Sequence, residues 1–122
     1  TAEERLEMVK ETFKNERAVS AEIFNGLLVD FAEKKEAHVI VRGLRAVSDF
    51  EYEFQLALMN RKLKRKIQTI FLMTDYQWLY ISSTIIKSAA SLGGNVRAMV
   101  PANVEARLVE KYRVLGGKTA LS

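Results

Sequence analysis

Short apolar runs separated by helix-length amphipathic stretches constrain this chain more than any other feature. The runs are Ala18 to Phe24, His38 to Val41 and Ile67 to Met73. Around them, residues 2–14, 27–36, 49–65, 82–92 and the segment after Pro101 carry apolar residues at helical spacing. Leu6, Val9 and Phe13 are one such face; Val104, Leu108, Tyr112 and Leu115 are another. Strands that alternate with helices pair in parallel, with the helices as crossovers, so the fold class is α/β. The punctuation agrees. Thr1-Ala2-Glu3-Glu4 matches a capping box, Asn25-Gly26 breaks the chain, Gly93-Gly94 stops a helix and Pro101 opens the last one. From Gly116 the pattern lapses, so residues 1–115 are expected to fold and 116–122 to form a loose tail.

Composition narrows the chemistry. With no Cys among its 122 residues, the chain holds no disulfide scaffold, thiolate zinc site or cysteine nucleophile, which suits a reducing cytoplasm. Its single His, His38, stands at a strand start and reads as structural; no Ser-His-Asp triad and no metal-ligand spacing can be built around it. No apolar run approaches the roughly 20 residues of a membrane helix, and no signal peptide is visible, so no membrane partner is expected. Lys and Arg number 19 against 15 Asp and Glu, a net charge of +4. That balance favours an anionic partner, or is an ordinary surface.

The helix at 49–65 is unusual. Phe50, Phe54, Ala57 and Leu58 lie on one side, while Tyr52, Leu56, Met59 and Leu63 lie nearly opposite at about 100° per residue. A surface helix needs one apolar stripe, and two mean burial on both sides. Either the helix is central in its own domain, or it packs on its sheet and on a neighbouring subunit; the second reading is preferred. Asp49, Glu51 and Glu53 are expected in its first turn and Arg61, Lys62, Lys64 and Arg65 in its last, where both signs suit the helix dipole. The basic end therefore needs no nucleic acid to explain it, and no aromatic residues interleave with it.

Two segments carry candidate chemistry. Val41-Arg42-Gly43-Leu44-Arg45 ends a strand, the place where open α/β sheets bind ligands. Glycine lets backbone approach a phosphate and the two Arg supply charged donors; the plainer alternative is a tight turn with solvated Arg. The second segment, Trp78-Leu79-Tyr80-Ile81-Ser82-Ser83-Thr84, puts three hydroxyls at a helix N-terminus, with Lys87 one turn on. Free N–H groups there suit phosphates, although one hydroxyl suffices as a cap. Trp78 and Tyr80 either flank a base or pack. Glu53 either faces the site or is a surface acid.

These residues carry a resemblance. Arg42-Gly43-Leu44-Arg45, the run Phe50-Glu51-Tyr52-Glu53, then Gln55-Leu56-Ala57, Met59-Asn60-Arg61, Phe71-Leu72-Met73 and Trp78 through Ser83 resemble the bacterial phosphopantetheine adenylyltransferase family, from Thr1 to about Leu108. The Ile-Ser-Ser-Thr block is shared more widely among nucleotidyltransferases, and Lys87 stands where many members have Arg.

The resemblance implies a Rossmann-like parallel sheet with flanking helices, seen here without its first strands, and a homohexamer. It implies reversible transfer of AMP from Mg-ATP to 4′-phosphopantetheine, giving dephospho-coenzyme A and pyrophosphate in the cytoplasm, with coenzyme A as a possible feedback ligand. By motif position, Arg42 and Leu28 would contact phosphopantetheine. Gly43, Leu44, Arg45, Glu53, Trp78, Leu79, Tyr80, Ile81, Ser82, Ser83 and Thr84 would line the ATP site. The family's opening strand, its Gly-Thr-Phe-Asp-Pro motif and its Gly-His pair are not in this sequence. The expectation is therefore a piece of a longer protein, residues 1–115 being the later part of one nucleotidyltransferase domain, with no catalytic residue in the chain. The alternative is a non-catalytic fragment that keeps an oligomer interface.

Overall fold

The computed structural model describes residues 1–119. In chain order the elements are α1 (Ala2–Thr12), α2 (Leu28–Lys34), β1 (Val39–Leu44), α3 (Val47–Leu63), β2 (Gln68–Met73), a single 3-10 turn (Tyr76–Trp78), α4 (Ser83–Ser91) and α5 (Ala102–Thr119). They fall into two compact units. One holds residues 24–80, with both strands; the other holds residues 1–23 and, of the described residues, 81–119, and is helical.

In the sheet unit β1 and β2 pair in parallel, from Val39 opposite Gln68 to Leu44 opposite Met73. A parallel pair needs a crossover, and α3 supplies it. The α/β class expected from the alternation is the one observed. Val29 and Ala32 of α2, Ile40 of β1 and Ile67 form the buried core, with Leu28 and Ala37 packed against it. Period-two alternation places Ile40, Arg42 and Leu44 on one face of β1, while Val39, Val41 and Gly43 on the other face are exposed.

The helical unit has its own logic. Thr1 caps α1, its hydroxyl accepting from the Glu4 N–H at 3.2 Å. Ion pairs tie α1 to α5, Glu7 with Arg107 at 2.6 Å and Glu4 with Lys111 at 2.7 Å. Asn103 of α5 donates to the Met8 carbonyl at 3.0 Å. Helix α4 ends where Gly93 takes a φ of +79° and the Gly94 N–H reaches the Ala89 carbonyl at 2.9 Å. A Cβ on Gly94 would sit 2.9 Å from that same oxygen, so only glycine closes this helix end without a shift.

Four expectations need correction or completion. Ala18 to Phe24 is not a strand; the segment is irregular, because apolar residues make a strand only where a ladder partner exists. Its Phe24 ring instead stacks on Phe31 at 4.6 Å. Strand β1 does not stop at Val41 but runs through Arg42, Gly43 and Leu44, because β2 offers partners as far as Met73. Helix α3 starts at Val47, so of the three acids only Asp49 lies in its first turn. Helix α5 runs through Gly116 and Gly117 to Thr119; glycine costs a helix about 1 kcal/mol but does not block it as proline does. Residues 120–122 of the expected tail lie outside the described residues.

Neither stripe of α3 is buried within the chain. Tyr52 is 66% and Met59 58% exposed, Phe50, Phe54, Leu58 and Leu63 are exposed too, and Leu56 and Ala57 are half-buried. Asn60 is the buried residue of this helix.

Candidate functional site at the end of β1

The geometry centres on Arg42. It lies on the strand itself rather than in a turn, so the tight-turn alternative does not apply. Its side chain meets Glu53, in the second turn of α3, with two hydrogen bonds: Nε donates to Oε2 at 2.7 Å and Nη2 donates to Oε1 at 2.5 Å. This fork-on-fork geometry is the strong form of an Arg–carboxylate contact. The partners are unequally exposed, Arg42 at 38% and Glu53 at 13%. The guanidinium holds the Glu53 carboxyl below the ordinary carboxylate range, and Glu53 raises Arg42 in turn. Dipole complementation does not account for Glu53, which lies beyond the first turn; Arg42 does.

Gly43 follows on the opposite face of the strand. A Cβ built there meets nothing within 4 Å. The chain's own packing therefore gives no steric reason for glycine, and the space beside it is open. Leu44 is half-buried on the Arg42 side. Arg45 leaves the strand, and its Nε donates to Asp49 Oδ2 at 3.2 Å. The end of β1 and the connection that follows it thus carry two Arg, each held by an acid of α3.

Asp75 starts the 3-10 turn by accepting from the Gln77 N–H at 3.1 Å. Trp78, Leu79 and Tyr80 follow, all exposed. Leu28, at the start of α2, is half-buried against the core.

Ile81 to Thr84 belong to the helical unit. Ser82 is the cap of α4: its Oγ accepts from the Ile85 N–H at 3.2 Å and its carbonyl from the Ile86 N–H at 3.0 Å. Capping thus uses one of the three hydroxyls. Ser83 and Thr84 stand exposed on the first turn, and Lys87 is exposed one turn later.

Two pairings at the end of β1 escaped the sequence reading. Arg45 with Asp49 was detectable from its i, i+4 spacing. Arg42 and Glu53 are 11 residues apart on different elements, and no local periodicity reports that. Of the four cations expected in the last turn of α3 only Arg61 and Lys62 lie there; Lys64 is the C-cap residue and pairs with Glu33 at 2.5 Å, which raises its pKa. Among the described residues no group of three or more His, Cys, Asp or Glu could hold a metal ion, and no helix is long and apolar enough to cross a membrane.

The chain is similar to known proteins. The cytidylyltransferase-like family matches residues 1–89. The phosphopantetheine adenylyltransferase of Nitratidesulfovibrio vulgaris (strain DP4) is 68% identical over 110 residues, which are 90% of this chain and 59% of that protein. Those of Oleidesulfovibrio alaskensis and Solidesulfovibrio magneticus are 66% and 55% identical, over 92% and 96% of this chain and 66% and 68% of their own lengths. The chain thus spans about three fifths of the first of these relatives.

Proposed function

Because this chain belongs to the cytidylyltransferase-like family, we propose that the protein containing it transfers AMP from ATP to 4′-phosphopantetheine, releasing pyrophosphate and forming dephospho-coenzyme A in the bacterial cytoplasm. The observation that carries this reading is the 68% identity to a phosphopantetheine adenylyltransferase over 90% of the chain.

In this reading an oxygen of the acceptor's phosphate attacks the α-phosphorus of ATP in line. The bond to the bridging oxygen breaks and pyrophosphate leaves with the electron pair. Such a reaction needs positioning and neutralisation of phosphate charge more than a covalent nucleophile. The residues of this chain suit that work. Arg42 meets the phosphate of phosphopantetheine on one side of β1, and Leu28 meets its pantetheine arm. Gly43, on the opposite face, lets the nucleotide approach the backbone, and Leu44 and Arg45 follow at the end of the strand. Trp78, Leu79, Tyr80 and Ile81 border the adenosine, and Ser82, Ser83 and Thr84 offer the N-terminal turn of α4 to the phosphates. Glu53 belongs to the same site. Magnesium would be brought by the nucleotide, since the described residues offer no cluster of ligands for it, and it would neutralise charge on the phosphates.

The protein works as a homo-oligomer, a hexamer, that covers part of α3, with coenzyme A as a feedback ligand. The support for assembly is the exposure of two apolar stripes on one helix. Calorimetry on the full-length protein tests the ligand assignment. Arg42→Ala should chiefly weaken phosphopantetheine and Arg45→Ala chiefly ATP. Equal losses of both ligands in both variants would overturn the division.

A further inference from the structure

We propose that the edge of the sheet unit where both strands begin docks an acidic segment of a partner protein. Three observations carry it. Positive charge is concentrated there. Residues 30–36 and 61–66 hold seven Lys and Arg against three Asp and Glu, while the rest of the chain holds twelve of each sign, so this edge carries the whole net charge of +4. The two segments also adjoin. Lys64, the C-cap of α3, pairs with Glu33 of α2 at 2.5 Å and stands 3.7 Å from Asp30. The Gln68 N–H donates to the His38 carbonyl at 2.9 Å. The C-terminal ends of α2 and α3 therefore share one edge, just ahead of Val39 and Gln68. Arg42, Gly43 and Leu44 lie at the opposite end of β1, so the basic edge and the candidate ligand site are separate.

Third, the fold does not use these cations up. A helix dipole favours positive charge only within the last turn, which accounts for Lys34 of α2 and for Arg61 and Lys62 of α3. Arg65 and Lys66 stand beyond α3, exposed, and their side chains make no ion pair or hydrogen bond among the described residues. Clustered charge of one sign steers an oppositely charged partner and sets its on-rate. The composition of the edge selects the partner's chemistry. Asp30, Glu33 and Glu36 stand among the cations and repel a uniform polyanion, whereas a protein segment can set neutral or basic residues against them. No aromatic side chain interleaves with residues 61–66, so bases have nothing there to stack on.

The test is the anisotropy of a fluorescent oligo-glutamate peptide titrated with the full-length protein at low salt. Wild type should bind it, and added salt should weaken the complex. Arg65→Glu should weaken it about fivefold or more. Arg17→Glu changes the net charge equally at an exposed position outside this edge, and should leave binding within about twofold. If Arg65→Glu does not fold, Arg65→Gln serves against Arg17→Gln, with a loss of about threefold expected in the first and none in the second. Formation of dephospho-coenzyme A should be the same in Arg65→Glu and wild type; a lower rate in the variant would join this edge to the active site and overturn the proposal. Absence of peptide binding would overturn it too, as would equal losses in the variants at Arg65 and Arg17. Tighter binding of oligothymidylate or of phosphatidylglycerol vesicles than of the peptide would give the edge to a nucleic acid or a membrane instead. Salt-sensitive self-association that is lost in Arg65→Glu would give it to a second copy of the chain, and either result would contradict a partner protein's acidic segment.

Discussion

Arg42 of β1 and Glu53 of α3 grip each other edge to edge, Nε to Oε2 at 2.7 Å and Nη2 to Oε1 at 2.5 Å. The contact ties the candidate anion-binding strand to the helix that crosses over it. Because Arg42 is partly exposed, solvent screening holds the pair's worth to about 1 kcal/mol.

The pair should make stability depend on pH in a defined direction. The Glu53 carboxyl lies below its ordinary value of 4.5 because Arg42 binds it. Its contribution is therefore complete above that ordinary value and is lost as pH falls through the lowered one. Urea unfolding of wild type and Glu53→Gln should differ by about 1 kcal/mol at pH 7, with the gap closing below pH 4.5. A gap that widens on acidification would show that Arg42 does not stabilise the charged carboxylate.

Gly43→Ala separates folding from binding. Nothing in the chain meets the added methyl, so stability should hold or rise by up to about 1 kcal/mol. If the nucleotide approaches the strand there, ATP affinity should fall about tenfold or more from the steric clash. Loss of stability together with unchanged ATP affinity would show that the open space beside Gly43 is not a ligand's.

The hydroxyls of α4 should divide by role. Ser82→Ala should cost about 1 kcal/mol of stability as a lost cap. Ser83→Ala should weaken ATP several-fold, each neutral donor being worth about 0.5–1.5 kcal/mol. Ser83→Asp should stabilise the helix by about 0.3–1 kcal/mol through the dipole while weakening ATP far more than Ala does. Equal ATP affinity for wild type and Ser83→Asp would make these hydroxyls caps and nothing else.

Met59→Asp tests assembly. Met59 is 58% exposed in the single chain, so the substitution should spare the fold. If subunits bury the stripe that Met59 shares with Tyr52, Leu56 and Leu63, each buried side chain contributes roughly 1.5–3 kcal/mol, and the variant should sediment as smaller species than wild type. A wild-type protein that is monomeric at micromolar concentration would contradict the assembly.

What could be read beforehand followed local rules. Thr1 and Ser82 as caps, Gly93-Gly94 as a stop and Pro101 as a start located α1, α4 and α5, because each acts within a turn of its own residue. Strand order and pairing are not local. Apolar content suggested a strand from Ala18 that has no ladder, and ended β1 at Val41, before the residues of most interest. The extension through Arg42 to Leu44 depends on β2, and the Arg42–Glu53 pair depends on how α3 returns over β1. For the same reason the sequence, which set Asp49, Glu51 and Glu53 in one turn and singled out Glu53 as a site candidate, named no partner for any of them, while the structure gives Asp49 to Arg45 and Glu53 to Arg42.

The most direct measurement of the central claim is mass-spectrometric analysis of the full-length protein incubated with Mg-ATP and 4′-phosphopantetheine. Dephospho-coenzyme A and pyrophosphate are expected in equal amounts, with strongly reduced formation in Arg42→Ala. Absence of dephospho-coenzyme A from the wild-type reaction, or its formation at an undiminished rate in Arg42→Ala, would contradict it.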